Sequence, residues 1–212
     1  MADEPAGTFR TVAERAAARF EVRGSEFVGH VAPVGSMEAA ESFVAAVREE
    51  HPEATHVVPA YRVPAGEASA GRPAERRLRE WSSDDGEPAG SAGKPALNVL
   101  QGRELRNVAA AVVRHYGGVE LGVGGLARAY GRAVKGAVDA AGVVERRPHE
   151  RFEAAVDYDD SGTVRGVLES AGVAFDADYG ERVVFDVEVP VDEAAALRDR
   201  LRSATSGRVE LT

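Results

Sequence analysis

Cysteine is absent from the 212 residues, which rules out disulfides, thiolate catalysis and cysteine-ligated zinc. Isoleucine is absent and lysine nearly so, with arginine supplying all but Lys94 and Lys135 of the 26 basic residues. No apolar run approaches the roughly 20 residues a membrane span requires, so no membrane partner is expected. The opening M-A-D-E-P-A-G is acidic where an export signal would be basic and then apolar, and a cytoplasmic location is the expectation. Aromatic residues make up 6% of the chain with a single tryptophan, too few for an extended base-stacking platform, although Trp81 and Tyr116 could each stack one base.

What is present is acid and glycine. The net charge is -9, a balance that fits a salt-adapted surface or a GC-rich codon bias, in which arginine and valine replace lysine and isoleucine. The acid is unevenly spread. From Pro88 to Gly136 there are seven basic residues against Glu104 and Glu120, a net +5, whereas the residues from Pro148 onward carry fifteen acidic and seven basic groups, a net -8. The basic stretch is also where glycine gathers, from Gly86 to Gly125. Glycine costs conformational entropy and adds no side chain to a core, so its concentration implies a backbone held close to a ligand or to another strand.

The hydrophobic pattern organises the rest. Arg19 to Val34 alternates apolar and polar around Gly24-Ser25, as two strands joined by a tight turn do. Met37 to Glu50 has helical periodicity, with Ser36 as N-cap and Pro52 as the stop. The strand T-H-V-V-P-A-Y-R-V follows, and the polar segment Pro64 to Glu75 reads as a mobile surface loop. A short helix is expected over Pro95 to Gln101, a central strand over V-A-A-A-V-V-R-H-Y, and a helix over Gly125 to Ala141 with an apolar stripe opposite Arg128, Arg132 and Lys135. After the break at Glu145 to Pro148 the order is strand 151 to 157, helix 161 to 171, strands 173 to 179 and 182 to 189, helix 192 to 204, strand 207 to 211. This is the ferredoxin-like β-α-β-β-α-β arrangement. The expected fold class is α+β, with domains over 1–145 and 148–212.

Several candidate chemistries arise from the central stretch. Gly122-Val-Gly124-Gly125-Leu-Ala127 fits G-x-G-x-x-G/A formally, but no strand leads directly into it and the nearby acid, Asp139, lies inside the helix, so a dinucleotide site is not supported. The looser possibility is a phosphate at the helix N-terminus, with Arg128 one turn on, against a tight helix–sheet connection. Asp84, Asp85 and Glu87 offer three carboxylates around Gly86, yet D-D-G-E-P is also a strong turn signal. Ser91 has no neighbouring base to activate it. His56 is as well read as a core group, and the five histidines show no metal-ligand spacing, so no catalytic residue, metal or cofactor is assigned. The cations Arg128, Arg132 and Lys135, at i, i+4 and i+7, can follow a phosphate backbone or meet an acidic protein patch, or can be an ordinary solvated face.

Four motifs, S-E-F-V-G-H (Ser25 to His30), A-T-H-V-V-P-A-Y-R (Ala54 to Arg62), S-D-D-G-E-P-A-G-S-A-G-K-P (Ser83 to Pro95) and V-V-R-H-Y-G-G-V-E-L-G-V-G-G-L-A-R-A-Y ending at Tyr130, resemble in sequence and order those of the IMPACT (YigZ-type) family. The departures are Ala89 and Ser91 in place of serine and threonine, His115-Tyr116 in place of tyrosine-phenylalanine, and a longer loop before Trp81. The resemblance implies a two-layer α/β first domain like the second domain of a small-subunit ribosomal protein, and a tail like the last domain of elongation factor G. Both parallels point to translation. Eukaryotic relatives restrain the starvation-response kinase through an additional N-terminal domain, and that partnership is not carried over.

The expectation is therefore a translation-associated regulatory binding protein that contacts the ribosome, structured RNA or a translation-related protein, and not DNA. Its surface would comprise Asp84, Asp85, Gly86, Glu87, Ser91, Gly93, Lys94, Arg114, Tyr116, Gly117, Gly118, Gly122, Gly124, Gly125, Arg128, Tyr130, Arg132 and Lys135. The competing expectation is a phosphate-ligand or nucleotide-binding enzyme that uses Gly122 to Gly125 as an anion cradle and the D-D-G-E carboxylates as metal ligands.

Overall fold

In the computed structural model, which describes residues 8–65 and 78–212, the chain divides into two compact units, Phe9–Arg146 and a second built mainly of Arg147–Thr212. Of the segment expected to be a mobile loop, Pro64 to Glu75, residues 66–75 lie outside the described residues.

The first unit centres on a five-stranded antiparallel sheet. Its strands are β2 (Ala16–Val22), β3 (Ser25–Pro33), β4 (His56–Pro64), β5 (Leu78–Ser82) and β6 (Val108–His115), after a short β1 (Phe9–Val12) that pairs separately with β7 (Val143–Arg146). The sheet order β2-β3-β6-β4-β5 puts β6 in the middle, as its unbroken apolar run requires. Both of its faces are covered. Val108, Ala110 and Val112 join one core cluster and Ala109, Ala111 and Val113 the other, the two-residue alternation of a strand.

Helix α1 (Met37–Glu50) buries Ala40, Phe43, Val44 and Val47 on the second face, and begins where Ser36 Oγ accepts the Ala39 N–H at 3.2 Å. Helices α2 (Gly93–Gly102) and α3 (Gly122–Ala141) cover the first face. The sheet and the α2–α3 layer are the two layers expected, and α1 adds a third. Helix α3 starts three residues earlier than its apolar stripe predicts, so the glycine-rich turn supplies its first turn.

The second unit has strands β8 (His149–Val156), β9 (Ala174–Tyr179), β10 (Val183–Pro190) and β11 (Glu210–Leu211), with helices α4 (Tyr158–Ala171) and α5 (Val191–Ala204). Sheet order β11-β8-β10-β9 with βαββαβ succession is the ferredoxin-like topology. Its core is a stack of branched and aromatic side chains, among them Phe152, Phe185, Leu168 and Leu201.

Helix α3 lies close on β3 because Gly29 faces it. A Cβ at that position would stand 2.2 Å from the carbonyl oxygen of Ala133, a backbone atom that cannot swing aside. Gly29→Ala is expected to cost about 1–3 kcal/mol, read as a lower urea midpoint at unchanged slope. An unaltered midpoint would show that α3 can lift from the sheet at no cost.

Candidate functional site

The D-D-G-E-P turn is built by its own carboxylates. Asp84 accepts from the backbone N–H groups of Gly90 (2.7 Å), Ala92 (2.9 Å) and Gly93 (2.8 Å), and so caps the otherwise uncapped N-terminus of α2 from outside the helix. Burial works to raise its pKa, but the three N–H groups together hold the carboxyl below the usual aspartate range. Asp85, at φ +50°, accepts from Arg48 Nη2 (2.9 Å) and from the Val57 N–H (2.7 Å), while its carbonyl oxygen lies 2.7 Å from His56 Nδ1. Gly86, at φ +86°, takes the left-handed step that turns the chain inward. Gly93 lets the loop close, since a Cβ there would meet the Ser83 carbonyl oxygen at 2.6 Å.

Glu87 is the turn's inward end. Its Oε1 accepts from Arg114 Nη1 at 2.6 Å and from the Tyr130 hydroxyl at 2.8 Å, with His56 Nε2 at 3.9 Å. Glu87, Arg114 and Tyr130 are all buried, at 8%, 5% and 0% exposure. Burial, reinforced by the neighbouring carboxylate, drives the Tyr130 hydroxyl far above its ordinary pKa, so it remains a donor. The guanidinium of Arg114 also lies between the rings of Phe27 (5.5 Å) and Tyr116 (5.2 Å).

This arrangement corrects one expectation and reassigns others. Arg114 is an interior cation neutralised by Glu87, because a charge on the central strand must be paired, and it is not part of an exposed basic surface. Both oxygens of Asp84 and of Asp85, and Oε1 of Glu87, are engaged by N–H, guanidinium or hydroxyl donors, so the three do not form an open trio of metal ligands. Ser91 is fully buried, and its Oγ has no hydrogen-bond partner among the described residues. Lys94 is exposed at the start of α2. Trp81 stacks on Tyr61 at 5.3 Å.

Two clefts flank the N-terminal half of α3. The larger, about 420 Å³, has Glu87, Arg114 and His56 among its walls and Tyr116, Pro88, Gly122, Val123 and Leu126 around them. Tyr116, Val119 and Val123 expose 47%, 49% and 59% of their surfaces, an apolar fringe unusual in so charged a chain. Gly117 fixes this rim, for its Cα packs so closely on Gly24 that a Cβ would overlap the Gly24 carbonyl. Gly118 and Gly122, at φ +84° and +70°, carry the chain into α3. Helix α3 has no side-chain cap and no acidic residue in its first turn, which leaves N–H groups at that end.

The second cleft, about 290 Å³, lies on the other side of α3. Its walls include Arg23, Arg128, Arg132, Gly125, Leu121 and Phe20. Arg128 therefore does not share the larger cleft with Gly122; of the glycines in that turn it is Gly125 that lines the smaller cleft with it. Arg23 escaped the sequence reading, because it sits in the β2–β3 turn, far along the chain from the helix it joins; its φ of +48°, with Gly24 at +75°, is that of a two-residue hairpin turn. Arg132 stacks on the Phe20 ring at 4.1 Å. Arg128, Arg132 and Lys135 line one face of α3, and none has an acidic partner among the described residues. Gly124 lies one turn before Arg128, beside its guanidinium.

Comparison with known proteins supplies the relatives. Residues 23–138 match the Impact N-terminal domain, and residues 155–208 match a domain of unknown function, DUF1949. The chain is 32% identical over 205 residues to the IMPACT family member YvyE of Bacillus subtilis, covering 96% of this chain and 90% of that protein. It is 34% identical over 192 residues to the IMPACT family member YigZ of Escherichia coli, covering 90% of each. A crystal structure of a hypothetical protein matches with a TM-score of 0.69 at 32% identity, over 97% of this chain and 96% of that one.

Removing one partner of the buried pair leaves an uncompensated charge. Glu87→Ala is expected to destabilise the first unit by about 3–5 kcal/mol, and Tyr130→Phe by about 1.5–3 kcal/mol, both read by denaturant unfolding. Equal and small losses would mean that water reaches the pair. For Asp84 the fold favours the carboxylate, so its contribution is complete above the ordinary aspartate pKa and is lost as pH falls through the depressed one. Asp84→Asn should accordingly be less stable than the parent at neutral pH, with the gap narrowing as pH falls below the ordinary aspartate pKa; a gap independent of pH would refute that assignment.

Proposed function

The chain belongs to the IMPACT family, and from that premise we propose that it is a translation-associated regulatory protein that binds structured RNA, ribosomal RNA above all, through the α3 face of its first unit. The observation that carries this reading is the row of acid-free cations Arg128, Arg132 and Lys135, joined by Arg23 across the smaller cleft. In a chain of net charge -9, whose other arginines so often meet a carboxylate, as in Arg48–Asp85, Arg62–Glu80 and Arg103–Asp139, cations left without acidic partners are placed for an outside anion. Tyr116, exposed at the rim of the larger cleft, adds a flat surface on which an unstacked base can rest. The uncapped start of α3 favours negative charge at the same end.

The enzyme reading has less support. The carboxylates it requires are already engaged at Asp84, Asp85 and Glu87 Oε1, and Gly122, the first glycine of the turn, lines a different cleft from Arg128. Translation enters through the family's parallels with a ribosomal protein domain and an elongation factor domain, and regulation through a face suited to holding a large anion rather than enclosing a small one.

Co-sedimentation with ribosomal subunits across a salt series tests the proposal. The parent should pellet with a subunit, and Arg128→Glu, Arg132→Glu and Lys135→Glu combined should release it. Neutralising one cation at a time should lower the salt dependence by about one unit of slope for each phosphate that cation had met. Equal sedimentation of parent and triple variant would remove α3 from the interface, and nuclease-resistant association would assign the surface to a protein partner instead.

A further inference from the structure

The opposite face of the central sheet brings together three groups that sequence spacing keeps apart. His30, buried in β3 at 7% exposure, presents Nε2 to Nε2 of His51, which caps the C-terminus of α1, at 3.0 Å. The carboxylate of Glu50, the last residue of α1, completes the group, and one ligand atom from each of the three lies within 4.8 Å of the others. His115 at the end of β6 stands beside them, its ring 6.0 Å from that of His51.

We propose that His30, His51 and Glu50 form a binding site for a divalent transition cation of the zinc class, with a fourth position open to solvent. Two imidazole nitrogens and a carboxylate oxygen are the donor set zinc accepts. In a tetrahedral site two nitrogens, each about 2.0–2.1 Å from the ion, stand about 3.3 Å apart, so the two rings need to part by only a few tenths of an ångström. The facing nitrogens suit this role better than an ion pair, because two imidazoles cannot both be charged at that separation.

Arg15 fits the same scheme. Its Nη2 contacts both oxygens of Glu50, at 2.5 and 2.7 Å, and stands where a cation is wanted. With a metal bound, one oxygen turns to the ion while Arg15 keeps the other and orients the carboxylate from behind, the usual service of an outer partner. Such an ion would tie the last turn of α1 to β3. It lies on the face opposite α3 and does not depend on the RNA reading.

Titration calorimetry of the full chain with zinc, with magnesium as the hard-cation control, tests the site. Zinc is expected to bind with a stoichiometry of one, magnesium weakly or not at all, and cobalt to take the same site with the visible absorption of a four-coordinate ion. His51→Ala and Glu50→Gln should each weaken zinc by about tenfold or more, and His149→Ala in the second unit should not. Glu50→Gln alters an exposed side chain and settles the matter if His51→Ala fails to fold. Absence of zinc binding, or equal affinity in parent and Glu50→Gln, would reduce the cluster to a hydrogen-bonded imidazole pair.

Discussion

The ion pair between Glu87 and Arg114 holds the first unit's chemistry in place, because it joins three elements at one buried point. Arg114 comes from the central strand, Glu87 from the D-D-G-E-P turn and Tyr130 from α3. Taking both charges out of water costs several kcal/mol per ion, and the return comes only when geometry is good and the remaining hydrogen-bonding positions are filled. Here Oε1 takes two donors at 2.6 and 2.8 Å, while the buried Nε of Arg114 has no partner among the described residues. An apolar replacement of equal volume could bury as well, but it would not dictate which way the turn enters. The pair thus acts less as a source of stability than as a fixed register between the turn and the sheet. The cleft walls inherit that register, since Pro88, Tyr116 and Leu126 are each within a few residues of a member of the group.

Arginine is used in two ways around this centre. At the perimeter, Arg48, Arg62 and Arg103 are spent on Asp85, Glu80 and Asp139. The last pair has an electrostatic consequence for α3, because Asp139 is that helix's one acidic residue and its charge is answered by Arg103 at 2.5 Å. What remains on α3 is Arg128, Arg132 and Lys135, over a helix start without acid. The positive field of this face therefore arises as much from where the carboxylates have been neutralised as from where the cations lie.

The fold was largely legible because its signals are local. Ser36, the apolar spacing of Phe43, Val44 and Val47, and the unbroken run of β6 each specify an element within a few residues, and the tail's alternation specified β8, β9 and β10. The short pair β1–β7 carried no such signal, since Val12 and Val143 are brought together only by the fold. At the site the residue types left two readings of the acidic cluster open, a ligand set or a turn; Asp84 faces its own loop's N–H groups, a competition that residue types alone cannot decide. Arg114 looked like a surface cation because it sits at the edge of a glycine-rich, polar stretch, whereas its partner, Glu87, lies 27 residues away.

The same strand periodicity that hid Arg114 also hid the histidines. Along β3 and β6 successive side chains alternate between the α2–α3 face and the α1 face. Arg114 therefore turns toward Glu87, and the next residue, His115, toward His51. Likewise Phe27 faces Tyr130, at 5.4 Å between ring centres, and His30, three residues on, faces α1. One stretch of sequence reads as a mixture of aromatic, basic and imidazole groups, and the pleat sorts it into two chemistries on opposite sides of a sheet one residue thick. Any account of this chain that treats its motifs as single sites will merge those two faces; the geometry requires that the α3 face and the α1 face be assigned separately.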